Sequence, residues 1–169
     1  MKKIAILNGY ATAGKNSFVD FCGRYANVQH YSYVDYARNV VAPLCGYKGG
    51  KSQVERDFLA DLNDILIKYY DLPYRDIRTV AQNFLYGDKE DGVLFIDIRE
   101  PEAIQRACKE FNAISVFVDN NSVERITSNH ADANVRNYEY DYIIDNDGTL
   151  KQLEESAKTF IEHLMGVAM

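Results

Sequence analysis

Residues 2–17 read KKIAILNGYATAGKNS, and this stretch decides the fold. Its apolar run Ile4–Leu7 predicts a short buried strand, and the residues from Lys15 onward predict a helix. Between them lies the pattern GxxxxGK, which begins at Gly9. In this order of strand, loop and helix, backbone N–H groups and the positive end of the helix dipole surround an anionic group. The stretch therefore predicts a phosphate-binding loop rather than a glycine-containing turn with a chance lysine.

Each residue type in the loop has a physical role. Gly9 and Gly14 allow tight turns because glycine tolerates positive φ, and Lys15 supplies a positive charge for the β- and γ-phosphates of a nucleotide. A serine or threonine usually follows the lysine and binds Mg²⁺, whereas here Asn16 follows and Ser17 comes next. Either side chain offers an oxygen ligand. The cofactors expected are ATP and Mg²⁺. The residues expected to contact ATP are Gly9, Tyr10, Ala11, Thr12, Ala13, Gly14, Lys15, Asn16 and Ser17.

Composition limits the class of protein. The chain has 169 residues with 47% hydrophobic and 26% charged content, which predicts one globular domain, residues 1–169. A net charge of −6 argues against a nucleic-acid polymer as partner. No apolar run reaches the ~18 residues of a membrane span, and we expect no signal peptide, because the N-terminus goes straight into the first strand. Without metal-binding spacing, Cys22, Cys45 and Cys108 are expected to be reduced, mostly buried thiols of a cytoplasmic protein.

Strand and helix patterns alternate along the rest of the chain. Further strands are predicted at 28–34, 93–98, 113–118 and 140–144. Helices are predicted at 15–25, 35–44, from 52 to about 71, at 74–85, 102–111 and 121–130, and after a cap at Thr149 and Gln152. The apolar residues expected on the inner face of the long helix are Val54, Phe58, Leu62, Ile65, Leu66 and Tyr69. The alternation predicts an α/β fold, in which right-handed crossovers join the strands of a parallel sheet.

Two charged residues follow the predicted strand 93–98, at the edge where ligands collect in an α/β sheet. Asp97 is predicted to bind Mg²⁺, directly or through a water; the alternative is a solvated carboxylate at a strand end. Arg99 is predicted to grip a phosphate, or else to pair with Glu100 or Glu102.

A second candidate group follows the predicted strand 28–34. Asp35 and Arg38 are three residues apart, so a helix would place them on one face. We expect Arg38 to bind the phosphate of an acceptor molecule and Asp35 to bind its hydroxyl or to act as a base. The alternative is a helix cap beside a surface arginine. The predicted acceptor-binding region is about 35–87.

A polar segment lies between the last two predicted strands, where a phosphoryl-transfer enzyme places a lid. It carries Arg125 and Arg136, and the predicted lid is about 120–138. Arg136 is also expected to bind the acceptor. A lid arginine neutralises charge that develops on the transferred phosphoryl group. The alternative is an exposed helix and loop with ordinary arginines.

Three motifs together resemble a known family. They are GxxxxGK followed by x-Ser, the run DIREPEAI from Asp97 to Ile104, and NDGTL from Asn146 to Leu150. The chain resembles the phage-type deoxynucleoside monophosphate kinases. It is also similar to animal-type phosphomevalonate kinases and, more distantly, to dephospho-CoA kinases and adenylate kinases. The resemblance implies a P-loop NTPase three-layer sandwich, with helices on both sides of a five-stranded parallel sheet in the order 2-3-1-4-5.

The resemblance also implies an activity, the transfer of the γ-phosphoryl group of MgATP to a (deoxy)nucleoside monophosphate. By position, Lys15 and its loop would hold the ATP phosphates, and Asp97 would support Mg²⁺. Arg99 would meet phosphate, and Arg125 would be a lid arginine. The family usually has Gly-Lys-Asp-Thr or Gly-Lys-Asp-Ser, whereas this chain has Asn16 in place of the aspartate. The alternatives are a kinase of another phosphorylated metabolite and a non-catalytic ATP-binding regulatory module. The only partner expected is a small phosphorylated acceptor.

Overall fold

The computed structural model describes residues 1–50, 52–88, 90–123 and 134–166 of the chain. Its strands are β1 (Lys2–Asn8), β2 (Val28–Ser32), β3 (Gly92–Asp97), β4 (Ile114–Asp119) and β5 (Tyr142–Asp145). These described strands form one parallel sheet in the order β2-β3-β1-β4-β5. The predicted α/β class and the predicted strand order are therefore confirmed.

Helices follow the strands in the predicted alternation. They are α1 (Lys15–Cys22), α2 (Gln53–Tyr70), α3 (Leu72–Tyr86), α4 (Pro101–Phe111) and α5 (Leu150–Met165). The predicted helix 35–44 is helical throughout but changes type: residues 35–36 are α-helical, Ala37–Val41 form a π-helical turn and Ala42–Cys45 form a 3-10 turn. Pro43 contributes to this change because it has no N–H to donate to a preceding carbonyl. Of the predicted helix 121–130, residues 121–122 form a turn and residues 124–130 lie outside the described residues.

The sheet buries both of its faces, which explains why its central strands are continuously apolar. On one face, Phe95 of β3 contacts Phe18 of α1 and Phe160 of α5, with both pairs of ring centroids 6.1 Å apart. On the other face, Leu94 lies in a buried cluster with Ile77 of α3. The core thus fixes the carboxyl edge of the sheet, where the loops that follow the strands begin.

Helix α2 departs from the predicted packing. Its buried residues are Leu59 and Leu66, whereas Val54, Ile65 and Tyr69 are 77%, 54% and 64% exposed. The prediction that these three residues face the core is wrong. The reason is that α2 packs mainly against α3 and the turn at 37–41, so only a narrow strip of its surface is covered.

Both predicted capping boxes are confirmed. The Ser52 side chain accepts from the Glu55 N–H at the start of α2, and the Thr149 side chain accepts from the Gln152 N–H at the start of α5. In each pair the longer side chain accepts in return from the backbone N–H of the cap residue. The second box fixes the start of α5 directly after the turn that follows β5.

The thiols follow the expectation in part. Cys22 is buried and Cys108 is partly buried, but Cys45 is exposed because its 3-10 turn lies at the surface. All three are free thiols. Among the described residues, no helix is long and apolar enough to cross a membrane.

Candidate functional site

The predicted phosphate loop has a backbone that requires glycine at two positions. Gly9 has φ 149° and Gly14 has φ 99°, and Thr12 between them has φ 64°. A Cβ atom on Gly9 would lie 2.5 Å from the carbonyl oxygen of Val118, and one on Gly14 would overlap the side-chain amide of Asn146. Glycine is therefore needed both for its dihedral angles and for the close approach of neighbouring strands.

Lys15 lies across this loop. Its ammonium donates to the carbonyl oxygens of Gly9 at 2.7 Å and Tyr10 at 2.9 Å. Lys15 is also the first residue of α1, and the first turn of a helix leaves N–H groups without intrahelical acceptors. The loop thus brings one ammonium group and several backbone donors to the same place, as binding of phosphates requires.

Asn146 supports the loop from the β5 side. Its side-chain amide donates to the carbonyl oxygen of Ala13 at 2.8 Å, and its backbone N–H donates to the carbonyl oxygen of Asp119 at 2.8 Å. The family resemblance includes Asn146, but sequence reasoning assigned it no role. The contact explains why Gly14 has no room for a side chain.

Asn8, the last residue of β1, also supports the loop, and the sequence did not predict this role. The residue is 1% exposed, and its side-chain oxygen accepts from the Gly9 N–H at 2.8 Å. Its amide nitrogen donates to the hydroxyl of Tyr140 at 2.7 Å and to the backbone carbonyl of Arg99 at 3.2 Å. A polar residue at the end of an apolar strand was the signal that could have indicated such a role.

Asp97 meets a partner that the sequence did not indicate. Its Oδ1 atom lies 3.0 Å from Nε2 of His30 on β2. This hydrogen bond raises the pKa of His30 above its ordinary value, although burial opposes the shift. His30 was missed because the pairing of β2 with β3 cannot be read from local sequence.

Hard oxygen ligands for Mg²⁺ lie on the two elements nearest the loop. Asp97 pairs with Leu7 in the register of β3 with β1, and Ser17 and Asn16 are in the first turn of α1. Within the described ranges, no group of three or more His, Cys, Asp or Glu residues gathers to bind a metal. Mg²⁺ at nucleotide sites takes only one or two protein ligands beside the phosphates, so this donor set fits.

Asp35 and Arg38 are brought together as their spacing predicts. Arg38 Nη1 lies 2.9 Å from Asp35 Oδ1, and Asp35 Oδ2 accepts from the backbone N–H of Ser32 at 2.9 Å. Asp35 therefore fixes both the end of β2 and the guanidinium of Arg38. Their binding of an acceptor stays a prediction.

Arg136 lies on the other side of the loop from that pair. It contacts Asp119 at the end of β4 at 2.5 Å, and its guanidinium carbon is 5.8 Å from the ring centre of Phe117. The hydrogen bond with Asp119 holds the pKa of Arg136 above its ordinary value, with a smaller contribution from Tyr10 of the loop. Arg136 is thus beside the nucleotide loop rather than beside Asp35. Arg125 lies outside the described residues.

Comparison with solved structures identifies the fold. A shikimate kinase from Aquifex aeolicus is similar to this chain with a TM-score of 0.53 and 13% identity, over 96% of each chain. The chain has the P-loop NTPase fold. An APS kinase from Mycobacterium tuberculosis, in a mutant form, aligns over 97% of each chain with a TM-score of 0.49 and 17% identity. No family model matches the chain, and no curated protein matches it.

Proposed function

We propose that this protein is an ATP-dependent small-molecule kinase whose acceptor is the phosphate of a (deoxy)nucleoside monophosphate. The observation that carries the proposal is the loop Gly9–Ser17, in which Lys15 and the start of α1 converge on one point. The P-loop fold supports it, since the shikimate kinase that shares this fold is named as a kinase.

The residues of the loop would act by binding and orientation. Lys15 would exchange its carbonyl contacts for phosphate oxygens, and Ser17 or Asn16 together with Asp97 would hold the metal. When bound, MgATP supplies the transferable phosphoryl group and a divalent charge. Such transfer depends on positioning and charge neutralisation more than on covalent chemistry of the protein.

The acceptor would be held from the β2 and β3 side of the loop. Arg38, oriented by Asp35, and Arg99 are the proposed ligands of its phosphate. A phosphate oxygen is already a competent nucleophile, so the proposal needs no general base. On the opposite side, Arg125 and Arg136 would neutralise charge on the transferred group.

Two observations favour a second candidate function, a regulatory module that binds ATP without turnover. Asn16 stands where a hydroxyl residue usually binds the metal. In addition, one oxygen of Asp97 is already hydrogen-bonded to His30. Both features would weaken metal binding beside the triphosphate.

The fate of ATP labelled in its γ-phosphate separates these functions. Incubation with a mixture of nucleoside monophosphates and Mg²⁺ is followed by separation of the products. Label in nucleoside diphosphates supports the kinase. Label only in inorganic phosphate identifies an ATPase, and intact ATP that binds the protein favours the regulatory module. Transfer that occurs only with another phosphorylated metabolite would keep the enzyme class and change the acceptor.

A further inference from the structure

A cavity of about 340 Å³ opens beside the first turns of α3. Its lining residues are Tyr36, Leu72, Arg75, Asp76, Arg78 and Thr79. Tyr36 follows the end of β2, and α3 runs back toward the start of β3, so its first turn lies at the carboxyl edge of the sheet. The cavity is therefore on the edge where ligands bind in open α/β sheets.

The spacing between the end of β2, beside the cavity, and the end of β1, beside the phosphate loop, suits one elongated molecule. β2 is separated from β1 by β3 alone. Because neighbouring strands are about 4.8 Å apart, the end of β2 lies roughly 10 Å from the end of β1. A nucleotide spans a comparable distance from its phosphate to the far edge of its base.

The charge of Arg78 is already balanced. Its guanidinium makes two hydrogen bonds to Glu110 on α4, at 2.5 and 3.1 Å. This pairing lowers the pKa of Glu110 below its ordinary value, with a further contribution from the hydroxyl of Tyr74. Arg78 thus forms a wall of the cavity and offers little net charge to a ligand.

Arg75 and Asp76 are differently placed. Within the part of the chain that the structure describes, no hydrogen bond or ion pair engages the guanidinium of Arg75. Asp76 accepts one hydrogen bond through Oδ2, from the hydroxyl of Tyr31 at 2.5 Å, and its Oδ1 atom has no partner among the described residues. One cation and one carboxylate with remaining capacity therefore line the same cavity.

Arg75 and Asp76 together favour a neutral polar group of a ligand over a phosphate. A phosphate beside Arg75 would also lie beside the carboxylate of Asp76, which repels it. An apolar group of a ligand would desolvate the charges of Arg75 and Asp76 without pairing them, which costs free energy. A planar heterocycle presents hydrogen-bond donors and acceptors side by side, and it can meet both residues at once.

We propose that the cavity binds the base of the acceptor nucleotide. Arg75 donates to a carbonyl or ring nitrogen of the base, Asp76 accepts from an N–H of the base, and Tyr36 and Leu72 flank the ring. This inference rests on the proposed function for the identity of the acceptor. It assigns substrate recognition to residues outside the phosphate loop and outside the predicted acceptor ligands.

Isothermal titration calorimetry tests the cavity without turnover. The probes are the four deoxynucleosides, which lack a phosphate, and 2-deoxyribose 5-phosphate, which lacks a base. We expect Arg75→Gln to weaken binding of the preferred deoxynucleoside about 10- to 100-fold and to leave binding of the sugar phosphate unchanged. Arg56→Gln, which removes an exposed arginine of α2, is the matched control and should change neither. Weaker binding of the sugar phosphate with unchanged binding of the nucleoside would show that Arg75 meets phosphate, and equal losses for both would show that it meets the sugar they share. Either result would overturn the proposal.

Steady-state kinetics separate failure of the cavity from failure of the kinase. With an active enzyme, Arg75→Gln should raise KM for the acceptor and leave KM for ATP and kcat nearly unchanged. Asp76→Asn should alter the order of preference among the bases. An acceptor KM equal to that of wild type in Arg75→Gln overturns the cavity assignment. If wild type transfers to no nucleoside monophosphate yet binds a deoxynucleoside through Arg75, the proposed function fails and the cavity assignment stands.

Discussion

Two asparagine side chains hold the phosphate loop in shape before any ligand binds. Asn8 accepts from the N–H of Gly9 at one end of the loop, and Asn146 donates to the carbonyl oxygen of Ala13 near the other. Each contact fixes a backbone group that would otherwise be free to rotate. A loop that is ordered in advance loses less conformational entropy when it binds, so these contacts favour affinity for phosphates.

Substitution of Gly14 tests this support. Gly14→Ala forces alanine into positive φ and also places its Cβ against Asn146. We expect a loss of about 1 kcal/mol from the dihedral angle alone and a larger loss in total, with weaker ATP binding, measured by urea unfolding and calorimetry. Gly46→Ala is the control, because Gly46 has φ 85° and nothing within 4 Å of its Cβ position. Equal effects of the two variants would contradict the role of Asn146.

Lys15 is predicted to matter for chemistry more than for folding. Lys15→Ala removes two hydrogen bonds to loop carbonyls, which should cost about 1 kcal/mol of stability. It also removes the charge that would meet the β- and γ-phosphates, so turnover should fall by at least about 100-fold. Thermal unfolding and ADP formation measure the two effects. Turnover equal to that of wild type would remove Lys15 from the site.

The residues predicted from sequence alone are those that a local pattern specifies. The GxxxxGK spacing predicted the conformations of Gly9 and Gly14, since both follow from neighbouring residues. The partners of the loop come from distant parts of the chain. His30 is 67 residues from Asp97, and Asn146 is 133 residues from Ala13. Only the strand order brings such pairs together, and no spacing rule predicts which side chains then meet.

At the scale of elements, Glu110 joins α4 to α3. Its carboxylate accepts from Arg78 at 2.5 Å and from the hydroxyl of Tyr74 at 3.0 Å. Arg106, one turn earlier on α4, lies 3.5 Å from the ring centre of Tyr74 and pairs with Asp71 at 2.7 Å. The two helices are thus joined by charges around one buried tyrosine, and Arg78 of this junction also lines the cavity.

The junction should make stability depend on pH. Pairing with Arg78 lowers the pKa of Glu110 below its ordinary value of 4.5. The stabilisation is therefore present above about pH 4.5 and is lost as the pH falls through the lower pKa of the folded state. Glu110→Gln should cost about 1 kcal/mol near pH 7 and less near pH 3, as measured by urea unfolding. The same cost at both pH values would show that the pair contributes no charge-dependent stability.

Helix positions were predictable, and one helix face was not. The capping pairs Ser52 with Glu55 and Thr149 with Gln152 predicted two helix starts correctly, because caps are local. The apolar residues of α2 predicted a helix correctly, but they did not predict which elements pack against that helix. Periodicity shows which residues share a face, whereas the surface that covers the face depends on the tertiary arrangement.

At the scale of the whole molecule, the site residues follow the order of the strands along one edge. Asp35 and Arg38 follow β2, Asp97 ends β3, the phosphate loop follows β1, and Asp119 with Arg136 is at β4. The proposed acceptor side and the proposed nucleotide side therefore lie on opposite sides of Lys15. The class and strand order were predictable through the phosphate loop and the family resemblance, since both depend on topology. The position of Arg136 beside Tyr10 depends on how β4 and β5 pair, which local sequence does not show. Its binding of the acceptor stays a prediction.

The proposed division of roles predicts the effect of a lid substitution. Arg125→Ala removes a charge expected to act on the transferred group and not on bound ATP. It should lower kcat by about 100-fold or more. It should weaken ATP binding far less. Single-turnover kinetics and calorimetry measure the two quantities. A variant with unchanged kcat and unchanged ATP affinity would show that Arg125 is no part of the site.

The most direct test of the central claim is the rate of ADP release from MgATP with each nucleoside monophosphate and its deoxy counterpart. A reaction without acceptor and the Lys15→Ala variant are the controls. We predict rapid release with one or two acceptors, little release without acceptor, and almost none from Lys15→Ala. Release that is absent with every acceptor, or that does not depend on the acceptor, would contradict this prediction.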